Sequence, residues 1–212
     1  MKLQIALDIL DLEGACDLIG DIAPWIDIVE AGTPLLKYVG ARAAIPALSQ
    51  AAQKPVLADL KTMDAGAYEV GFAASCGANF ITVLGVSDDE TVLGAINEAH
   101  RHGIKCQVDL INAPNKVDRA IWAHRQGADL IGIHTGIDQQ AQGQTPLADL
   151  EAITQHVPSS AISVAGGISL KTLPKILPLR PGVIVIGGAI TQAEKPVEVV
   201  TAMKGMLGNG AA

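Results

Sequence analysis

The feature that most constrains the fold is a repeat in which a short apolar run alternates with a segment of helical period. Such runs recur roughly every 20 to 30 residues, the length of one βα unit. Runs that are apolar on both faces are typical of parallel strands covered by helices. Eight of them in 212 residues predict an α/β fold, a single-domain (β/α)8 TIM barrel over residues 1–212. The runs are 3–7, 26–29, 56–60, 80–84, 104–110, 130–133, 161–164 and 183–186.

A doubly wound parallel sheet is the alternative fold. It usually has fewer strands and carries a glycine fingerprint directly after its first strand. The first run of this chain leads instead into Asp8 and Asp11, with no glycine between them. The barrel therefore remains the favoured fold.

Several residues signal where helices begin. An acidic or hydroxyl side chain before a helical segment predicts an N-cap, and a proline predicts the first turn. The predicted starts are Asp11, Asp64, the capping-box pattern from Ser87 to Glu90, Pro114 and Pro146.

Composition narrows the possible partners and the compartment. With a net charge of −7 and 3% aromatic residues, the chain offers little to a phosphate backbone or to stacked bases, so we expect no nucleic-acid binding. Its three cysteines lack C-x-x-C spacing, which favours reduced thiols over disulfides or zinc ligands. The first run is cut short at Asp8, and no apolar run reaches about 18 residues, so we expect a cytoplasmic protein without signal peptide or membrane span.

The carboxyl ends of the predicted strands carry the candidate site, since barrels of this kind place their chemistry there. Ionisable residues and glycine pairs occupy these ends: Asp8, Glu30, Asp59 with Lys61, Asp109, His134, Gly166-Gly167 and Gly187-Gly188. Placing charges at the ends of apolar strands is costly unless they pair or do chemistry. These positions are therefore where we look for function.

Glu30 and Asp59 end neighbouring strands. Two carboxylates so placed suit Mg²⁺, which accepts one or two protein carboxylates and completes its octahedron with water and substrate oxygens. The alternative is a pair of helix caps, or an ion pair with Lys61. An ammonium at Lys61 would stabilise an anion; a Schiff base there is a second possibility, which the flanking aspartates oppose by raising its pKa. A purely structural ion pair is the third.

His134 is the one histidine at a predicted strand end, and histidine is the commonest general base near neutral pH. The alternative is a hydrogen-bonded structural histidine. Asp8 and Asp109 have open roles: orienting Lys61, binding substrate hydroxyls, or simple capping.

Glycine pairs follow strands seven and eight at Gly166-Gly167 and Gly187-Gly188. Backbone N–H groups approach a phosphate closely where side chains are missing, and barrels often bind phosphate at this pair of loops. Tight turns are the alternative use of either pair. Metal, lysine, histidine and phosphate cradle together suit a phosphorylated ketose that is chelated, converted to an enediolate and quenched by an electrophile.

The strand-end segments resemble a known family. Asp59-x-Lys61-x-x-Asp64 is similar to the D-x-K-x-x-D motif of the orotidine monophosphate decarboxylase suprafamily. Segments 58–66, 82–85, 108–112 and 134–140 resemble the hexulose-6-phosphate synthase family within it, the last most specifically. The resemblance covers nearly the whole chain. It implies Mg²⁺-dependent aldol condensation of formaldehyde with D-ribulose 5-phosphate, giving 3-hexulose 6-phosphate.

The resemblance also implies a role for each matching residue of the motif. Glu30 and Asp59 match the metal ligands. Lys61 matches the lysine that stabilises the enediolate. Asp64 matches an aspartate of the same charge network that reaches the neighbouring subunit's site, which implies a homodimer with shared active sites.

Outside the motif, His134 matches the histidine that moves the C1 proton, and Gly167 and Gly188 match phosphate-binding glycines. A sister family, the 3-keto-L-gulonate 6-phosphate decarboxylases, carries arginines where this chain has Ile137 and Ala189. Their absence favours the synthase. Decarboxylation and a non-catalytic phosphosugar-binding barrel remain the alternative functions.

Overall fold

Eight parallel strands close into a barrel in the computed structural model, which describes residues 1–9 and 11–209. Each strand pairs with the next along the chain, and β8 pairs back with β1. The predicted (β/α)8 TIM barrel is therefore confirmed. The strands are β1 (Lys2–Leu7), β2 (Ile28–Ala31), β3 (Val56–Thr62), β4 (Phe80–Leu84), β5 (Lys105–Asp109), β6 (Leu130–His134), β7 (Ile162–Ala165) and β8 (Val183–Ile186).

The described chain has more helices than the one per strand that the repeat predicts. Two α-helices follow each of β2, β6 and β8, and left-handed Gly40 (φ 84°) and Gly143 (φ 82°) lie in the first two of these connections. The α-helices are α1 (Leu12–Ile22), α2 (Thr33–Val39), α3 (Ala41–Ala52), α4 (Gly66–Ser75), α5 (Asp89–Arg101), α6 (Lys116–Arg125), α7 (Ile137–Ala141), α8 (Leu147–Ile153), α9 (Leu173–Ile176), α10 (Gly188–Thr191) and α11 (Pro196–Asn209).

The helix starts only partly match the predictions. Asp11 caps α1 as predicted, because its carboxylate accepts from the Glu13 N–H. The prediction of a capping box from Ser87 was one residue early: Asp88 caps α5 through the Thr91 N–H. Pro146 precedes α8 as predicted.

Two predicted starts were wrong for the same reason. Asp64 does not cap α4; the cap position is Ala65, whose φ of 54° is left-handed, and the Asp64 carboxylate binds the Ala65 N–H instead. Likewise α6 begins at Lys116 rather than Pro114, after left-handed Asn115. A left-handed non-glycine residue carries no sequence signature as clear as a proline or a cap.

Strand side chains divide between two cores. Outward-facing residues such as Ile5, Ile81 and Ile133 are fully buried beneath the helices. Facing inward, the first residues of the even-numbered strands form an apolar floor at the amino-terminal end of the barrel: Ile28, Phe80, Leu130 and Val183. Polar side chains therefore collect at the opposite end. In the described ranges, no helix combines the length and apolar character that a bilayer crossing requires.

Candidate active site

A cavity of about 540 Å³ opens at the carboxyl ends of the strands. The candidates predicted from the sequence line it, with one exception: the lining includes Asp8, Glu30, Asp59, Lys61, Asp109, His134, Gly166, Gly167, Gly187 and Gly188. The exception is Asp64, whose exposed side chain lies outside the lining. The barrel thus brings together residues that lie far apart in the sequence.

Asp59 is the most tightly held side chain of the site. Its Oδ1 accepts from Thr82 Oγ1 at 2.7 Å, and its Oδ2 accepts from Thr33 Oγ1 at 2.8 Å and from the Lys61 ammonium. Burial alone would raise the pKa of Asp59, but the Lys61 charge and these hydrogen bonds outweigh it and lower that pKa. Asp59 is therefore an ionised carboxylate in a fixed orientation.

Lys61 reaches Asp59 through a local distortion of β3. Its φ of 48° is left-handed, and the register with β4 shifts between Ala58 and Thr62. The Lys61 N–H donates to Thr82 Oγ1 at 3.0 Å, which fixes the distorted backbone. Burial lowers the pKa of Lys61, but Asp59 raises it further, so the net shift is upward. A strained conformation held this way is typical of functional sites.

Glu30 lies across from Asp59, and the Gln4 amide donates to its Oε2 at 2.6 Å. Burial and then the Asp59 charge raise the pKa of Glu30 to about 8. A buried carboxyl group whose ionisation is disfavoured by a neighbouring carboxylate suits a divalent cation, because the cation's charge stabilises both ionised groups. No cluster of three or more His, Cys, Asp or Glu ligands exists in residues 1–9 and 11–209, so this pair would leave most positions to water and substrate oxygens, as Mg²⁺ requires.

His134 forms a pair with Asp109 on the neighbouring strand. The His134 Nδ1 lies 2.9 Å from Asp109 Oδ2, while Asp109 Oδ1 accepts from the Ile111 N–H at 2.8 Å. A carboxylate only accepts hydrogen bonds, so Nδ1 carries the proton and Nε2 is left as the base. Burial lowers the pKa of His134, but the hydrogen bond and charge of Asp109 raise it more.

The two glycine pairs form the opposite wall. Gly166 has a φ of 113°, and a Cβ there would lie 2.4 Å from the Thr135 carbonyl oxygen. Gly167 has a φ of 63° and lies against Gln140, whose amide donates to the Thr135 carbonyl at 2.7 Å. Gly188 begins α10. Within the described chain, Lys61 is the one Lys or Arg of the cavity lining, so this wall offers backbone N–H groups rather than cations.

Asp8 lies at the end of β1, over Gly32. A Cβ on Gly32 would lie 2.2 Å from Asp8 Oδ1, so this approach requires a glycine. Burial raises the pKa of Asp8, and the Asp59 charge adds to the rise. Asp8 therefore borders the charged side of the cavity.

The sequence predictions missed the residues that hold the reactive groups. Thr33 and Thr82 orient Asp59, and Gln4 orients Glu30. Gln107 and Ser163 also line the cavity. Thr33 begins α2, but the other four are polar side chains at inward positions of otherwise apolar strands, a signal that a search limited to strand ends overlooks.

Two proteins with sequences similar to this chain carry the same enzyme name. The chain is 40% identical over 210 residues to 3-hexulose-6-phosphate synthase of Bacillus subtilis, covering 99% of this chain and 100% of that protein. It is 40% identical over 198 residues to 3-hexulose-6-phosphate synthase of Staphylococcus aureus, covering 93% and 94% of the two chains. The chain is therefore an enzyme of the aldehyde-lyase type, with an aldolase-type function.

Solved structures superpose closely on this chain. The crystal structure of 3-hexulose-6-phosphate synthase from Salmonella typhimurium superposes with a TM-score of 0.95 at 37% identity, covering 99% of this chain and 100% of that one. A crystal structure of KGPDC from Streptococcus mutans superposes with a TM-score of 0.90 at 25% identity, covering 100% and 99% of the two chains. The family model described as orotidine 5'-phosphate decarboxylase / HUMPS matches residues 1–203. The chain therefore belongs to the orotidine 5'-phosphate decarboxylase / HUMPS family.

Proposed function

We propose that the protein condenses formaldehyde with D-ribulose 5-phosphate to give 3-hexulose 6-phosphate, using Mg²⁺ and an enediolate intermediate. The observation that carries this proposal is one cavity that holds two carboxylates, an ammonium, a His–Asp pair and a glycine wall. The names of the 3-hexulose-6-phosphate synthase relatives support the choice of substrates.

The metal would be held by Glu30 and Asp59. When bound, Mg²⁺ supplies a Lewis acid for the ketose oxygens. The hydrogen bonds from Gln4 to Glu30, and from Thr33 and Thr82 to Asp59, orient both carboxylates. Ligands oriented in this way lose less entropy on binding a cation.

The proton chemistry falls to His134. Its Nε2 takes a proton from C1 of the ketose, and Asp109 stabilises the resulting imidazolium through Nδ1. The Lys61 ammonium stabilises the negative charge of the enediolate. C1 then attacks the carbonyl carbon of formaldehyde, the C=O π electrons move to oxygen, and that oxygen receives the proton from His134. The sum is a balanced addition with no external redox partner.

The phosphate would lie against Gly167 and Gly188, with Gly166 and Gly187 completing the wall. Backbone N–H groups are free to approach it because no side chain intervenes at these four positions. At the two positions of the sister family's arginines stand Ile137 and Ala189, both in the cavity lining. This substitution favours condensation over decarboxylation of 3-keto-L-gulonate 6-phosphate.

A homodimer with shared sites is part of the proposal. Asp64 is exposed beside Met63, and Tyr68 and Phe72 follow on one face of α4 with 81% and 46% of their surfaces exposed. Large apolar side chains exposed together mark an interface. A second copy packed on this face would bring its Asp64 towards the partner's cavity.

Mixing two inactive variants tests the shared site. We expect Lys61→Ala and Asp64→Ala each to lose activity, whereas a mixed dimer contains one site with an intact Lys61 from one chain and an intact Asp64 from the other. We expect activity to return on mixing after subunit exchange. Two variants that stay inactive in a verified mixed dimer would contradict the shared site, and a monomer in sedimentation would contradict the dimer.

The reaction is tested by formaldehyde consumption with ribulose 5-phosphate. We expect consumption with Mg²⁺, loss of it with EDTA, and little turnover of 3-keto-L-gulonate 6-phosphate in a parallel assay. His134→Ala should abolish condensation. Full activity in EDTA would contradict the requirement for a metal, and normal turnover by His134→Ala would contradict the role of His134 in proton transfer.

A further inference from the structure

A layer of buried polar side chains lies inside the barrel, below the reactive carboxylates. Four buried side-chain atoms have no hydrogen-bond partner in the described chain, and three of them belong to inward-facing residues of odd-numbered strands: Gln4 Oε1, Gln107 Oε1 and Ser163 Oγ. Ser163 is 1% exposed and Gln107 is 7% exposed. An unpartnered polar atom this deeply buried costs about 1–3 kcal/mol unless something binds it.

Strand register places this layer directly above the apolar floor. Gln4 pairs with Ile28, Gln107 with Leu130, and Ser163 with Val183. Leu57 of β3 is the fourth member and is apolar. The layer is therefore the deepest polar level of the barrel.

The absence of a side chain at Gly132 leaves room for the Gln107 amide between the polar layer and His134. Two residues before His134, on the same inward face of β6, stands Gly132, which pairs with Ser163. A Cβ at Gly132 would lie 2.9 Å from Gln107 Nε2, so the amide occupies the space that a side chain would fill. Gln107, Gly132, His134 and Ser163 all line the same cavity. Hydrogen-bonding groups thus face the cavity beneath the proposed base.

We propose that Gln107 and Ser163 form the binding site for the one-carbon aldehyde, the second substrate of the reaction. This inference rests on the proposed function and names a subsite within it. An aldehyde oxygen only accepts hydrogen bonds, and Ser163 Oγ–H and Gln107 Nε2–H are the donors that face it. The Ser163 hydroxyl meets the requirement best, because nothing in the described structure engages it.

The site also fits the change in charge during the reaction. As C1 of the enediolate forms a bond to the aldehyde carbon, the carbonyl π electrons become a lone pair on oxygen, and hydrogen bonds to that oxygen strengthen. The oxygen then takes the proton held by His134 and becomes a hydroxyl. This new hydroxyl can donate to Gln107 Oε1, the acceptor that is otherwise unpartnered.

Small neighbours set the size of the subsite. Ala6, Gly132 and Ala165 are small inward residues of this lining, and the side chain of Val185 narrows the space beside them. Formaldehyde has no substituent beyond hydrogen, whereas acetaldehyde adds a methyl group. Selection for a one-carbon electrophile follows from this lining.

The test separates the two halves of the reaction. Enediolate formation exchanges a C1 proton of ribulose 5-phosphate with D₂O and needs no formaldehyde, whereas condensation needs both substrates. In Ser163→Ala we expect C1 exchange, followed by NMR, to stay within about twofold of wild type, while kcat/KM for formaldehyde falls about three- to tenfold, the value of one neutral hydrogen bond. Gln107→Met, which keeps the volume without the amide, should act in the same direction, and Gly132→Ala should block formaldehyde more strongly than ribulose 5-phosphate.

Each result decides the assignment. Unchanged formaldehyde kinetics in both Ser163→Ala and Gln107→Met, in an active wild-type background, overturns the subsite and leaves the proposed function standing. Equal loss of C1 exchange and condensation also overturns it, because the layer then acts only as support. Wild-type enzyme that fails to condense formaldehyde at all overturns both proposals.

Discussion

The two walls of the cavity are built on opposite principles. The wall from β2 to β4 holds charged groups by cross-strand hydrogen bonds between side chains, with Thr82 bonding both the Asp59 carboxylate and the Lys61 backbone. The wall after β7 and β8 consists of glycines, and a side chain at Gly166 would collide with the Thr135 backbone. The charged wall therefore presents side-chain groups to the cavity, whereas the glycine wall presents backbone groups that side chains would otherwise cover.

This difference predicts opposite sensitivities. Removing a charged or hydrogen-bonding group should damage the charged wall, since buried polar partners are then left unsatisfied. Adding a single methyl group should damage the glycine wall, since backbone atoms cannot move aside as a flexible side chain does.

Removal of the Lys61 ammonium should have the largest effect. For Lys61→Ala we expect kcat/KM for condensation to fall by at least about 10²–10³, the usual loss for one preorganised group that stabilises a developing anion. Steady-state formaldehyde consumption measures it. Lys195→Ala, which removes a lysine exposed at 70% and paired with Glu198 on the surface, is the matched control and should keep its activity. A loss below about tenfold in Lys61→Ala would place the anion elsewhere.

The glycine wall is tested by a pair of matched substitutions. Gly166→Ala puts a Cβ 2.4 Å from the Thr135 carbonyl oxygen at a φ of 113°, whereas at Gly187 the nearest contact is 3.8 Å away. We expect Gly166→Ala to lower the free energy of unfolding by about 1–3 kcal/mol, the usual cost of a strained backbone. KM for ribulose 5-phosphate should rise as well. Gly187→Ala should cause a smaller loss of unfolding free energy and a smaller rise in KM than Gly166→Ala. Denaturant melts and kinetics compare them, and equal effects would contradict the steric explanation.

The fold was largely predictable because its cause is local and repeated. The repeated apolar runs indicated a parallel sheet that is buried on both faces. Strands β4 and β8 have the same bounds as the predicted runs 80–84 and 183–186. Helix starts were harder, because Ala65 and Asn115 adopt left-handed conformations, which alanine takes up rarely and asparagine only occasionally. Those conformations are imposed by the tertiary structure.

The site was predictable where strand ends were marked by charge. Glu30, Asp59 and His134 stood out because ionisable groups are unusual at the end of an apolar run. Their supports did not stand out: Thr82 and Gln4 lie within strands, and a threonine or glutamine there resembles an ordinary exposed position. Only the closed barrel shows that these side chains point inward.

The Thr82 hydroxyl offers a smaller perturbation of the charged wall. Thr82→Val keeps the shape but removes the donor to Asp59 and the acceptor for the Lys61 N–H. A net loss of about 0.5–1.5 kcal/mol per hydrogen bond predicts roughly three- to tenfold weaker Mg²⁺ binding, measured by titration calorimetry. Thr82→Ser retains the hydroxyl and is the rescue control. Equal affinities in the two variants would remove Thr82 from the assembly of the site.

The smallest expected effect is a displacement in pH, and it concerns the His134–Asp109 pair alone. A base acts in its neutral form, and Asp109 raises the pKa of His134, so kcat/KM should rise with pH through a limb that lies above an ordinary histidine. Replacing Asp109 with asparagine leaves burial and the Lys61 charge, which lower that pKa, against the weaker upward effect of Asp59, so the His134 titration followed by NMR should move to lower pH. The glycine wall contains no titrating side chain, and Gly187→Ala should leave the limb in place. An unchanged His134 pKa in Asp109→Asn would mean that Asp109 does not set the basicity of His134.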